Sequence, residues 1–225
     1  MLHCLVANKS VDHLATRCDR MLSHEYTERH NDVLRSIHLS VCRQCGITKN
    51  KHIRKHSVQQ VIVTEHVEIR VDTRVRTNVQ VQYNRPDIVV YDKKRSEITI
   101  IEVGITSQDR LHTLETEKKR KYDLLANELG LIYKSSTRII PYVMTWDGIV
   151  TRYHNRYAKL LGITSTIQAY IQSRVLRKTL ECVSFDRRRG AEDIDGEPMG
   201  DMAVEGGLLV GSKPTVDPER ATVAN

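Results

Sequence analysis

The run Ile98-Thr99-Ile100-Ile101-Glu102-Val103 constrains the fold more than any other stretch of the chain. Strand alternation puts Ile98, Ile100 and Glu102 on one face and Thr99, Ile101 and Val103 on the other. Both faces are mostly apolar, which predicts an interior strand of a sheet covered on both sides. A carboxylate in such a strand needs a partner, and a metal ion is one of the few that suffice.

Two neighbouring segments bear on that carboxylate. In Arg85-Pro86-Asp87-Ile88-Val89-Val90-Tyr91 a rigid turn residue leads straight into an apolar run of strand type, so Asp87 sits where a strand begins. Downstream, Asp109 to Leu129 contains no Gly or Pro, and Leu111, Leu114, Leu125 and Leu129 share one stripe at about 100° per residue. Lys118, Lys121 and Tyr122 lie on that stripe, whereas Lys119 and Arg120 point away from it. A lysine on an apolar stripe can snorkel to the edge of a sheet. Here the stripe is expected to pack on the strand that carries Glu102, which favours a site over that reading.

The pattern Arg85-Pro86-Asp87, fourteen intervening residues, Glu102, then Lys118-x-x-Lys121-Tyr122 resembles the restriction-like endonuclease domain of site-specific LINE retrotransposons, those that insert into ribosomal RNA genes and similar repeats. The resemblance implies an α/β fold with a PD-(D/E)xK restriction-endonuclease-like core of order α-β-β-β-α-β, followed by C-terminal helices. In that superfamily a lysine usually lies two residues after the second acid, a position held here by Gly104. In the retrotransposon branch the following helix supplies the lysine. Glu102 stands where the family more often has Asp, which keeps the carboxylate and lengthens its reach by one methylene.

The resemblance further implies that Asp87 and Glu102, with the Val103 carbonyl, hold one or two Mg²⁺ or Mn²⁺ ions at a scissile phosphate. One of Lys118 and Lys121 would stabilise the phosphorane or orient the water, and the other would hold the phosphate. The implied substrate is double-stranded DNA, nicked so that its 3′-hydroxyl primes reverse transcription, with the element RNA as a partner of the parent polyprotein and a nuclear location. No Tyr-x-Asp-Asp polymerase motif occurs in the chain.

Outside the core, Tyr26-x-x-Arg29-His30 and Thr145-Trp146-Asp147-Gly148 look like family features. Cys4, His13 and Cys18 have the C-x8-H-x4-C spacing of the second part of the zinc knuckle that precedes this endonuclease. The first knuckle cysteine would fall on Met1, so the expected chain is a fragment with an incomplete Zn²⁺ site. A second set, Cys42-x2-Cys45 with His52 and His56, has a zinc-like order, but its Cys and His pairs stand closer than in a nucleic-acid-binding finger. It is read instead as the apolar close of a helix followed by a solvated basic loop, Lys49 to Lys55. His30 shares a stripe with Tyr26, Val33 and Ile37 and is read as a core histidine.

Charge agrees with a polyanionic partner. The net charge is +7, yet the last 36 residues hold eight acids and two bases, so the positive excess falls on residues 1–189. In Val67–Val75, Arg70, Arg74 and Arg76 share one face, and this row leads to Arg85. Either it is an ordinary solvated strand face or, as favoured here, a DNA-facing edge formed by Arg70, Arg74, Arg76, Arg85 and Tyr122. Five cysteines, with no signal peptide, suit a reducing compartment.

The expected organisation is a knuckle remnant over 1–24, the endonuclease domain over 25–185 and a disordered acidic tail over 186–225. Within it we read helices near Tyr26–Cys42, Asp109–Leu129, Val150–Leu161 and Ser165–Cys182. The strands are read near Val61–Thr64, Val67–Val75, Asp87–Tyr91, Ile98–Val103 and Arg138–Met144. Two other functions fit these residues: an inactive remnant that binds DNA through its basic face, and a cellular PD-(D/E)xK repair nuclease. Gly104 argues against the second.

Overall fold

The computed structural model describes residues 10–18 and 24–192. The short helix α1 (Val11–Thr16) is capped by Ser10, whose side chain accepts from the His13 amide. Helix α2 (His24–Gln44) precedes the strands β1 (Val61–Val63), β2 (Val67–Val71), β3 (Ile88–Asp92) and β4 (Glu97–Thr106). Then come α3 (Leu111–Lys121), α4 (Asp123–Tyr133), β5 (Ser136–Thr145), α5 (His154–Leu160) and α6 (Ser165–Glu192). The strands form one mixed sheet in the order β1-β2-β3-β4-β5, antiparallel from β1 to β4 and parallel between β4 and β5. The parallel pair requires a crossover, which α3 and α4 supply. The fold is thus α/β.

Helices cover both faces of the sheet. On one, Val33, Ile37 and Val41 of α2 and Ile167, Ile171 and Val175 of α6 pack against Ile69, Ile88, Ile101, Val103 and Tyr142. On the other, Tyr122, Leu125 and Leu129 pack against Val89, Ile98 and Ile100. Strand β4 therefore has the alternation read from its sequence, with the Ile98-Ile100 face under α3 and α4 and the Ile101-Val103 face under α2 and α6. Each such Ile or Leu contributes roughly 1.5–3 kcal/mol of burial free energy.

Three elements depart from expectation. The long helix is two, parted at Tyr122, where φ is −109° and ψ is 11°. Strand β2 stops at Val71 because Asp72 takes a left-handed φ of 48°, so Arg74 and Arg76 lie in the following loop. Helix α6 continues to Glu192, past the expected start of the tail at residue 186. Cys4 and residues 193–225, which hold most of the expected tail, lie outside the described residues. Among those described, no helix is long and apolar enough to cross a membrane.

At the start of α5, His154 is only 2% exposed, with Nε2 3.4 Å from the Tyr142 hydroxyl. Burial lowers its pKa to about 4. A folded-state value below the ordinary 6.5 means that His154 contributes full stability above about pH 6.5 and loses it as pH falls through about 4. We expect the urea midpoint of the protein to drop between pH 7 and pH 4.5, His154 accounting for about 2 kcal/mol. Replacement by Gln should flatten the profile, and an unchanged slope in His154→Gln would contradict the assignment.

Candidate active site

The site forms where β3 begins beside the middle of β4. Ile88 pairs with Ile101, so the next residues out, Asp87 and Glu102, meet across the antiparallel ladder. The Asp87 amide donates to Glu102 Oε2 at 3.3 Å, and the Val103 amide donates to Asp87 Oδ2 at 2.7 Å. The amide and carbonyl of a strand residue face the same neighbour, which turns the Val103 carbonyl toward Asp87 as well. The loop before Asp87 is clamped: the Asp72 amide donates to the Asp87 carbonyl at 2.9 Å. Arg85 donates to the Asp72 carbonyl at 2.9 Å and to its carboxylate at 2.7 Å.

Glu102 is 2% exposed, and both lysines of α3 reach it. Lys118 Nζ and Lys121 Nζ donate to the same oxygen, Oε1, at 2.7 and 2.8 Å. Burial opposes the charge on Lys118, but the Glu102 carboxylate outweighs it and raises the lysine pKa above its ordinary value. Lys121 is the more open of the two, with its side chain 31% exposed against 20%, and its ammonium lies 5.5 Å from the Tyr83 ring and 4.8 Å from the Tyr122 ring.

The absence of lysine at position 104 has a steric cause. A Cβ on Gly104 would lie 3.0 Å from Leu114 Cδ2 and 3.3 Å from Val143 Cγ2. The glycine lets α3 approach β4 closely, and Lys118 and Lys121 follow one and two turns after Leu114 on the facing stripe.

From α2, His30 Nε2 lies 3.2 Å from Asp87 Oδ2. Burial lowers the His30 pKa, but the hydrogen bond and charge of Asp87 more than offset it, and the net direction is upward. Burial raises the Asp87 pKa, but His30, the Val103 amide and Lys118 together bring it below its ordinary value. His30 is thus a partner of Asp87 and not only a core side chain. Its spacing from Arg29 and Tyr26 was visible, but nothing in the sequence said which end of the sheet α2 would cross.

Several expected DNA contacts have other roles. Tyr122 is 1% exposed and donates to the Arg85 carbonyl at 3.0 Å, which agrees with its place on the core-facing stripe and corrects its reading as a DNA contact: it pins the Arg-Pro-Asp turn from beneath. Arg85 clamps Asp72, as above. Arg70 is ion-paired with Glu68 on its own strand. Arg70, Arg74 and Arg76 nonetheless gather around one concavity of about 230 Å³, floored by Val89, Ile98 and Leu129, although only Arg70 is on β2.

The Thr145-Trp146-Asp147-Gly148 segment is a structural turn. Asp147 accepts from Gln108 at 2.7 Å and from Thr145, while Trp146 Nε1 donates to Asp12 at 2.9 Å and so ties α1 to the end of β5. Of the knuckle residues, Cys18 is fully buried with Leu14 and Val183, and His13 Nε2 is buried without a hydrogen-bond partner among the described residues. An orphaned imidazole nitrogen suits a zinc ligand.

The donors around Asp87 suit a hard divalent ion: two carboxylates and a carbonyl, all oxygen. The contacts above use Asp87 Oδ2 and Glu102 Oε1, leaving Asp87 Oδ1 for a cation, while Glu102 also meets the Asp87 amide and the Tyr122 hydroxyl. The same site carries two ammonium groups and an imidazole, so its positive charge also suits a phosphodiester.

No protein family and no curated protein matches the chain. Among solved structures it is similar to an N-terminal domain of a reptarenavirus L protein, at 14% identity and a TM-score of 0.32, over 73% of this chain and 82% of that one.

Proposed function

We propose that this chain is a metal-dependent DNA endonuclease with a PD-(D/E)xK-type core, the target-nicking domain of a LINE-type polyprotein. The carrying observation is that Lys118 and Lys121 converge within 2.8 Å on the buried Glu102, beside Asp87. Three charged side chains from two elements meet at one end of the sheet, where a structural ion pair would need only two.

In this reading Asp87 and Glu102 would hold a divalent ion, which when bound would supply Lewis acidity at the phosphate. Lys118 pairs with Glu102 and keeps it aimed. Lys121, more exposed and flanked by aromatic rings, takes a non-bridging phosphate oxygen as charge builds on it. His30 holds Asp87 from behind and acts as a positioning residue. Arg74, Arg76 and the bases around them contact the duplex backbone without reading its sequence. A nuclear, reducing location and association with the element RNA belong to the same proposal.

The test is conversion of supercoiled plasmid to open circle by the purified chain. Nicking should require Mg²⁺ or Mn²⁺ and stop on chelation. Duplex binding with no metal-dependent nicking would leave the DNA-binding remnant as the better reading.

A further inference from the structure

Away from the carboxylates, α2 carries a second constellation. His38 and Cys42 are one turn apart on its buried face, 0% and 1% exposed. The connection between α2 and β1 returns His56 to them just after the 3-10 turn Ile53–Lys55. His38 Nδ1 and His56 Nε2 are 2.7 Å apart, and Cys42 Sγ is 3.8 and 3.7 Å from the two ring nitrogens of His38. One ligand atom from each of the three residues falls within 4.8 Å of the others, and among the described residues no other His, Cys, Asp or Glu trio does so.

We infer that His38, Cys42 and His56 form a zinc site that staples the α2–β1 connection to α2. The donors are borderline nitrogen and sulfur with no carboxylate in the group, which suits Zn²⁺ and excludes the hard cation argued for Asp87. Tetrahedral Zn²⁺ places its N and S ligands about 3.5 Å apart and two N ligands about 3.3 Å apart. Relative to His38 the sulfur is already near that range, the imidazole pair has to open by about half an ångström, and the Cys42–His56 separation, within 4.8 Å, has at most about an ångström to close. Without metal, the two ring nitrogens satisfy each other by a hydrogen bond, one donating and one accepting. Three protein ligands leave the fourth position to water on the partly exposed His56 side.

The staple has something to hold. The stretch from Gly46 to Gln60 has only that one 3-10 turn and contributes only Ile47, Ile53 and Val58, all partly buried, to the core. Its Lys49, Lys51, Arg54 and Lys55 are exposed. A connection this long and this basic has little of its own to order it. The sequence reading of Cys42, Cys45, His52 and His56 named two of these ligands and missed His38. The helical His-x3-Cys spacing was the available signal.

The full chain, equilibrated with Zn²⁺ and freed of excess, is compared with Cys42→Ser, His56→Ala and Cys18→Ser by metal analysis. Cys42→Ser and His56→Ala should each lose about one equivalent, and Cys18→Ser, whose thiol packs with Leu14 and Val183 and not with these ligands, should keep it. Co²⁺ in the unmutated chain should give a thiolate charge-transfer band that Cys42→Ser removes. Chelation should speed tryptic cleavage within Lys49–Lys55 by about tenfold or more. His56 lies outside regular structure, so His56→Ala decides the matter should the buried Cys42→Ser fail to fold. Zinc content in His56→Ala equal to that of the unmutated chain, or no zinc in either, overturns the site.

Discussion

Lys118→Ala and Lys121→Ala should each lower Mg²⁺-dependent nicking by about 10²-fold or more, while duplex affinity changes little. A loss of that size is about 2.7 kcal/mol of transition-state stabilisation, the scale on which a single preorganised electrostatic contact acts. Affinity is spared because one phosphate contact among many alters mainly the salt slope, by about one unit at most. Stability separates the single changes from the double. Glu102 has a side chain 3% exposed and accepts from both ammonium groups, so either lysine alone still pairs the buried carboxylate. Losing both leaves the charge unpaired, which costs on the order of 3–5 kcal/mol. Initial rates on supercoiled plasmid, with urea midpoints on the same preparations, report both quantities. Single variants that nick at the unmutated rate would reduce the lysines to structural partners of Glu102.

Among single substitutions, the largest effect on stability is expected at Arg29, away from the carboxylates. Its side chain is 2% exposed within α2, donating from Nη1 to Thr179 Oγ1 at 2.8 Å and from Nη2 to the Ala15 carbonyl at 2.7 Å. One guanidinium therefore joins α1, α2 and α6, and α2 in turn presents both His30 and His38. Arg29→Ala opens a cavity and strands the Ala15 carbonyl, and should cost about 3 kcal/mol or more. Arg29→Lys should recover only part, because an ammonium cannot span both acceptors in the geometry of the planar fork. Substitution of the exposed Arg74 should stay within about 0.5 kcal/mol. Urea unfolding of the three variants checks the ranking, and an Arg29→Ala chain within 1 kcal/mol of the original would contradict it.

Legibility followed locality. The β4 alternation, the turn into Asp87 and the lysine stripe of α3 could be read because each depends on residues a few positions apart with a fixed period. The same argument failed at Tyr122. With no Gly or Pro to mark a break, the helix parts because the ring is buried and its hydroxyl is committed to the Arg85 carbonyl, 37 residues away. Strand β2 was read too long because Asp72 leaves the β region through a tertiary clamp by Arg85, not through a local breaker. His30 was placed in a core stripe, correctly as to helix face, and His38 was not singled out although it lies on the same buried side of α2. What each meets, Asp87 in one case and His56 in the other, is settled by how a loop and a sheet end fold back onto α2. Hydrophobic periodicity does not carry that information.

The most direct test of the nuclease reading sets the unmutated chain beside Asp87→Ala, following plasmid nicking and duplex binding on the same preparations with and without Mg²⁺. The account predicts metal-dependent nicking by the unmutated chain, none by Asp87→Ala, and nearly equal DNA affinity for the two. Equal nicking by both chains, or none by either while both bind duplex, would contradict it.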